Sequence, residues 1–385
     1  MRAAVLALAC GCGGAAPVAG DASIDAEVAS YAWRLPAGFP VPKVPADNPM
    51  SEAKVALGRL LFYDRRLSFN QTQACASCHQ QALAFTDGRA RAVGSTGVVN
   101  RRSAMSLANV AYYSAQTWAN PRLASLEAQA AVPLFGENPV ELGMAGHEAE
   151  LLARLAAEPR YPPLFAAAFP DEPTPIAVAN VVRAIAAFER TILSGGSPYD
   201  RYAAGDDAAI SDAAKRGAAL FLSERLECRH CHGTFALTGS VTWQGKSVDD
   251  LSYQNDALYN IDGAGGYPAR DRGLYEVTLA PSDMGKFRPP TVRNVAVTAP
   301  YMHDGSLATL RELVVDHYAR GGRLLTGLDA GDGARSPLKG VFVIGFSLTD
   351  GEVDDVLAFL TSLTDPGLLV DPALADPWPA AGAAR

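Results

Sequence analysis

Apolar residues recur at helical spacing in several stretches of this chain, and between those stretches the pattern breaks. Over residues 175–194, Val178, Val181, Val182, Ile185, Phe188 and Ile192 fall on one stripe at intervals of three and four. Pro175 suits a first turn and Gly195-Gly196 a stop, so the spacing predicts a helix from Pro175 to Ser194. Near the C-terminus, Thr349-Asp-Gly-Glu352 has the form of a capping box, followed by Val353, Val356, Leu357 and Leu360 on one face. Two other segments mirror each other, Gly58-Arg-Leu-Leu-Phe62 and Gly217-Ala-Ala-Leu-Phe221, and each reads as an apolar-faced helix. From Val241 to Pro300 the sequence is irregular and rich in Gly and Pro, which predicts long loops with little regular structure. The expected fold class is mainly α.

Composition narrows the possibilities. A chain of 385 residues, 49% hydrophobic and 19% charged, is long enough for two ordinary domains and has the balance of a globular protein. A net charge of −8 lacks the basic footprint that nucleic-acid phosphates demand, so nucleic acid is excluded as a partner. No apolar run is long enough to span a bilayer, so no transmembrane span is expected. The start, MRAAVLALACGCGG, resembles an export signal, and ALAC resembles a lipoprotein cleavage site that would leave Cys10 lipidated. A cleaved soluble signal is the alternative; in both cases residues 1–20 stay outside the fold and the destination is the periplasm.

The remaining four of six cysteines carry the chemistry. Cys75-Ala-Ser-Cys78-His79 and Cys228-Arg-His-Cys231-His232 are both Cys-x-x-Cys-His, the signature of covalent c-type haem attachment. On a short helical turn two thiols three residues apart reach both vinyl groups of one porphyrin, and the next residue offers its imidazole to the iron. A zinc site would want the pairs close together, but about 150 residues separate them. A thioredoxin-like site expects a βαβ setting that is absent here. Because an apolar-faced helix precedes each motif, the pairs also mark an internal duplication. The expected organisation is two cytochrome c-like haem domains with long irregular loops, 21–197 and 198–385, the last twenty or so residues packing back on the first.

A haem iron with two strong axial ligands transfers electrons, whereas a vacant position admits peroxide. Apart from the motif histidines only His147, His230, His303 and His317 remain, and none lies between residues 80 and 146. The first haem is therefore expected to be open and the second six-coordinate. Met105 and Met144 are the alternatives that could cap the first iron.

Several ordered segments resemble the bacterial di-haem cytochrome c peroxidase and MauG superfamily: LGRLLFYDRRLS, Trp118, SLEAQAAVPLFGENPVELG, the second haem motif, FRPPTVRNVAVTAPYMHDGSLATL and DHYARGG. Residues 258–278, LYNIDGAGGYPARDRGLYEVT, look most like the MbnH branch, whose members are associated with oxidising a tryptophan of a partner copper protein.

The resemblance implies roles. Glu141 matches a distal carboxylate that manages the peroxide proton, Gln129 and Pro133 match pocket residues, and Trp118 matches an indole coupling the two haems. The second iron's distal ligand would be Tyr318, as in tyrosine-ligated members, since no Met follows Met302. One extra residue between His303 and Tyr318 puts His317 in that slot by strict counting, so both stand as candidates. A calcium ion between the haems is implied too, held by the carbonyls of Thr298 and Pro300, with Ser103 where the family has asparagine and Asn109 in reserve. A surface tryptophan beside the second haem is replaced by Leu226, leaving Trp243 and Tyr275 as hole-exit candidates, while Trp33 and Trp378 read as packing residues.

The implied activity is peroxide-dependent oxidation of a small, copper-binding periplasmic protein, tryptophan being the target, with oxidising equivalents shared by both haems in a high-valent state. The alternatives are a peroxidase that reduces hydrogen peroxide with electrons from a small redox donor, and a non-enzymatic electron-transfer cytochrome.

Overall fold

A computed structural model describes residues 31–379 of the chain, so the leader and its Cys10 lie outside the described residues. In chain order the α-helices are α1 (Glu52–Phe62), α2 (Cys75–Cys78), α3 (Leu126–Phe135), α4 (Glu148–Ala157), α5 (Tyr161–Ala168), α6 (Val178–Glu189) and α7 (Pro198–Ala203). They continue with α8 (Asp212–Phe221), α9 (Arg229–His232), α10 (Tyr275–Thr278), α11 (Leu310–Glu312), α12 (Asp350–Ser362) and α13 (Pro366–Val370). The only sheet among the described residues is a two-residue antiparallel pair, Leu324–Leu325 with Gly331–Asp332.

Two helix crossings organise the molecule, and both rest on the mirrored glycines. Helix α1 packs on α6, and α8 on α12. A Cβ at Gly58 would lie 1.9 Å from the Ala184 carbonyl oxygen, and one at Gly217 would lie 1.9 Å from that of Asp355. Only glycine lets the backbones come this close. Around the first crossing Leu57, Leu61, Phe62, Ile185 and Phe188 form one core; around the second, Ala218, Phe221, Val356, Phe359 and Leu360 form another. From Trp33 onward the chain nevertheless forms one compact unit. After the second core it returns to the first: Trp378 Nε1 donates to the Leu60 carbonyl (3.0 Å), Tyr63 donates to that of Leu374 (2.7 Å), and Arg160 lies 3.6 Å over the Trp378 ring.

The duplication extends beyond these helices. Asn109 and Asn294 both adopt the left-handed conformation (φ 61° and 62°), and a 3-10 turn follows each. Both converge on Ser194. Asn109 exchanges hydrogen bonds with the Ser194 backbone (2.8 and 2.9 Å), and Asn294 donates to its hydroxyl (3.0 Å). The Asp365 carboxylate accepts from the Gly195 and Gly196 amides beside it. These bonds explain why α6 stops at Glu189, short of the predicted Ser194: residues 191–196 give up helical partners for this junction. The capping box at Thr349 forms as predicted. Between α9 and α11 only α10 and short 3-10 turns interrupt the loops, again as predicted.

Candidate functional site

Each Cys-x-x-Cys-His segment carries a single short helix and opens onto a cleft. The smaller cleft, about 640 Å³, is lined by Cys75, Cys78 and His79. The larger, about 1640 Å³ including its open mouth, is lined by Cys228, Cys231 and His232. No disulfide joins these four thiols, and burial pushes all of them up, Cys78 and Cys231 to about 11.

The two histidines are held alike. His79 Nδ1 lies 2.9 Å from the Phe85 carbonyl and His232 Nδ1 lies 3.0 Å from that of Leu237. Each carbonyl fixes the tautomer and leaves Nε2 as the coordinating nitrogen, the arrangement a metal-bound imidazole needs. Burial moves both below the ordinary histidine value, so both are neutral and ligand-competent. The residues thus fit an iron porphyrin in each cleft. Phe85 and Leu237, both at positive φ, were missed in the sequence because a backbone carbonyl carries no residue signature. Yet Ala-Phe-Thr after the first motif and Ala-Leu-Thr after the second repeat the same turn.

Together with His79, Gln129, Pro133 and Glu141 line the smaller cleft. Gln129 and Pro133 lie one turn apart on α3, which is capped by Ser125. Glu141 follows in the loop after α3. Burial raises its pKa, and the Asn100 amide, donating at 3.0 Å, opposes that rise. Its proton affinity is therefore set by two neighbours of opposite sign. Neither methionine considered as a cap lines this cleft: Met144 is in the first core, and Met105 lies on the larger cleft with its sulfur 3.6 Å from Arg288 Nη2. A second acid, Glu189 at the end of α6, also lines the smaller cleft, and burial pushes it up to about 8. Asn100 and Glu189 were not singled out in the sequence.

In the larger cleft His317 and Tyr318 are placed differently. Residues Leu313–Ala319 form a π-helix, the form that absorbs one inserted residue in an α-helical segment. Tyr318 lines the cleft with Cys228, Cys231 and His232. His317 does not; its ring is fully buried behind, edge-on to Tyr318 at 4.6 Å. Burial drives Tyr318 well above the ordinary tyrosine value, with Asp256 adding to the shift. Asp256 lines the same cleft and is itself pushed up to about 7 by burial.

Trp118 also lines the larger cleft, its indole donating to the Ser103 carbonyl (3.0 Å). Ser103, Thr298 and Pro300 line it as well, the Ser103 hydroxyl donating to the Met302 carbonyl at 3.2 Å. Asn109 is committed to Ser194 at both ends of its amide and is removed as a reserve ligand. Leu226 is buried on the cleft wall. Trp243, packed edge-to-face on Phe235, and Tyr275, under Arg272, line neither cleft.

Two histidine-and-thiol cradles in a mostly helical chain, one sharing its cleft with the Glu141 carboxyl, define a di-haem oxidoreductase of the peroxidase type. The profile of the family described as di-haem cytochrome c peroxidase matches residues 52–208. The chain is 35% identical over 365 residues to the methylamine utilization protein MauG of Methylorubrum extorquens, covering 94% of this chain and 92% of that one. It is 36% identical over 393 residues to the cytochrome-c peroxidase IdrP1 of Denitromonas iodatirespirans, covering 96% and 95%. This chain therefore belongs to the di-haem cytochrome c peroxidase family, with two haem groups as its cofactors. A crystal structure of a MauG-like protein associated with microbial copper homeostasis superposes with a TM-score of 0.88 at 47% identity, covering 91% of this chain and all of that one. No helix among the described residues is long and apolar enough to cross a membrane.

Proposed function

We propose that this protein is a periplasmic, MauG-like enzyme that uses hydrogen peroxide to oxidise a tryptophan of a small copper-binding protein. Cys75 and Cys78, and Cys228 and Cys231, would hold the two haems as thioethers, and His79 and His232 would supply an imidazole to each iron. The haems supply the redox chemistry. In the His79 cleft Glu141 would carry a proton from one oxygen of peroxide to the other, with Asn100 holding the carboxyl and Gln129 and Pro133 shaping the pocket. Tyr318 would supply a further ligand in the His232 cleft, and Trp118 would couple the two centres. The Thr298 and Pro300 carbonyls with Ser103 would hold a calcium ion, a set rich in the hard oxygen donors that ion prefers. Cys10 is the lipid anchor of the exported chain.

The observation that carries this reading is that Tyr318 lines the same cleft as His232, and Glu141 the same cleft as His79. The copper association of the 47%-identical relative supports the choice of partner.

The test co-expresses the protein with a small copper-binding protein from its own gene neighbourhood, adds peroxide, and reads the partner by mass spectrometry. Oxygen-type mass increments on one tryptophan are expected, lost in Glu141→Gln. An unmodified partner, with rapid peroxide turnover supported by a reduced cytochrome, would overturn the reading in favour of a detoxifying peroxidase.

A further inference from the structure

The two exits considered from the sequence, Trp243 and Tyr275, line neither cleft. A third hydrophobic cluster offers another candidate. Tyr259, Tyr267 and Phe287 pack together with Leu258 and Ala119, and Trp118 and Met302 pack against them. Phe287 and His303 stack at 3.7 Å on the wall of the larger cleft. Tyr259 lies 6.5 Å from the His303 ring and 5.2 Å from Tyr267. An unbroken set of rings therefore runs from the cleft wall to Tyr259.

Tyr259 differs from the other rings in having a proton acceptor in place. Its hydroxyl donates to Asp304 Oδ2, while Asp304 Oδ1 accepts from the Ser306 amide at 3.1 Å. Burial and the Asp304 charge raise the phenol above the ordinary tyrosine value, so it is protonated at neutral pH. Losing an electron without its proton would leave a cation in a buried, low-dielectric site, at high cost. A carboxylate already bonded to that proton removes the cost. By contrast, Tyr253 has a buried hydroxyl without a partner, and the Tyr267 hydroxyl bonds to Asn255, an amide that cannot take a proton. Beyond Tyr259 the structure reaches solvent quickly. Arg270 Nη2 is 3.5 Å from the phenol oxygen, and its side chain is 47% exposed, paired with Asp329.

We infer that the Tyr259–Asp304 pair is a proton-coupled redox relay through which oxidising equivalents leave the di-haem unit toward the protein partner. The inference rests on the peroxide-dependent reading above. In each one-electron step, the peroxide-oxidised protein takes an electron from the Tyr259 ring. The phenol O–H bond breaks, its proton passes to Asp304 Oδ2, and a neutral phenoxyl and a carboxylic acid result. An electron from the partner's side chain then reduces the phenoxyl, and Asp304 returns the proton. Two such steps consume the two equivalents that one peroxide supplies.

The test uses the full-length haem-loaded protein without partner, mixed with peroxide and freeze-quenched for electron paramagnetic resonance while the Soret band is followed in parallel. A tyrosyl-type signal, narrowed by ring-deuterated tyrosine, is expected in the wild type and lost in Tyr259→Phe. Asp304→Asn keeps the Ser306 bond through its own Oδ1 and retains every tyrosine, yet cannot accept the proton. It should lose the signal and the solvent-deuterium dependence of its formation while its Soret band still responds to peroxide. A Soret response with no tyrosyl signal in the wild type overturns the relay alone. So does a signal that survives both substitutions. No Soret response at all removes the peroxide reading, and the relay with it. If Tyr259→Phe fails to load haem, Asp304→Asn decides the matter by itself.

Discussion

Replacing Gly58 or Gly217 with alanine should drive apart the helix pair that supports each haem cradle. At Gly58 the new methyl would sit 1.9 Å from the Ala184 oxygen, 2.6 Å from its carbon and 3.0 Å from Phe188 Cβ. At Gly217 the corresponding distances to the Asp355 oxygen, its carbon and Phe359 Cβ are 1.9, 2.4 and 2.9 Å. The nearest atoms belong to helix backbone, which cannot rotate aside, so relief requires the helices to part by more than about 1 Å. A radial gap of roughly that size forfeits a quarter to a half of each dispersion contact across the interface. Overpacking of this kind costs about 1–3 kcal/mol and occasionally more. Alanine's better helix propensity returns at most about 1 kcal/mol. Because the clash is against backbone, the expected net loss is at the upper end, about 2–3 kcal/mol at either site. Thermal unfolding followed by circular dichroism at the helical band, with haem absorbance in parallel, should show a midpoint lowered by roughly 3–4 °C. Gly351 in α12 is the control, because nothing lies within 4 Å of its added Cβ and its alanine variant should melt at or slightly above the wild type. If Gly58→Ala or Gly217→Ala melts with Gly351→Ala, the close crossings are not what holds the cradles.

Four further outcomes are expected. Glu141→Gln should slow the peroxide reaction by roughly 10²–10⁴-fold, the usual worth of a positioned proton carrier, with both haem spectra retained in stopped-flow absorbance. Asn100→Ala removes the hydrogen bond that opposes the upward shift of Glu141, so the acidic limb of the peroxide-reaction pH profile should move to higher pH; a limb that stays put separates Asn100 from the proton step. Tyr318→Met should change the low-temperature paramagnetic resonance of the second haem while His317→Phe leaves it alone, and the reverse result would exchange their roles. Glu189, pushed up to about 8 by burial, keeps its proton in the folded chain between the ordinary glutamate value near 4.3 and about 8, where the unfolded chain has released it. The folded state binds more protons across that window, so its stability falls as pH rises through it, and Glu189→Gln should flatten the melting-temperature profile there.

What could be read from the sequence divides by the kind of atom that does the work. Cys-x-x-Cys-His, the helical stripes and the Thr349 capping box are side-chain patterns over a few residues, and local periodicity specifies them. Glu141 was marked by resemblance alone; nothing local separates it from the 41 acids of the chain. The Phe85 and Leu237 carbonyls that fix the histidine tautomers are backbone atoms, so only the repeated Ala-Phe-Thr and Ala-Leu-Thr turns hinted at them. Counting residues favoured His317 and motif context favoured Tyr318. Both residues lie in a π-helix, which changes the number of residues per turn that counting assumes constant.

The loops between α9 and α11 were legible as irregular but not as chemistry, and the reason is physical. Tyr259 and Asp304 meet across 45 residues of chain that carry no period, so no spacing rule joins them. Their pairing follows instead from burial. Tyr259 is only 6% exposed, a buried hydroxyl needs a partner, and Asp304 is held in reach by the turn that Ser306 closes. The same logic places Asp271 under Arg102: burial alone would raise that carboxyl, but a bidentate pair at 2.6 and 2.7 Å holds it below the ordinary value. In a chain whose regular helices mainly hold the porphyrin cradles, such isolated pairs are where irregular backbone acquires fixed geometry. They are also where a proton can accompany an electron.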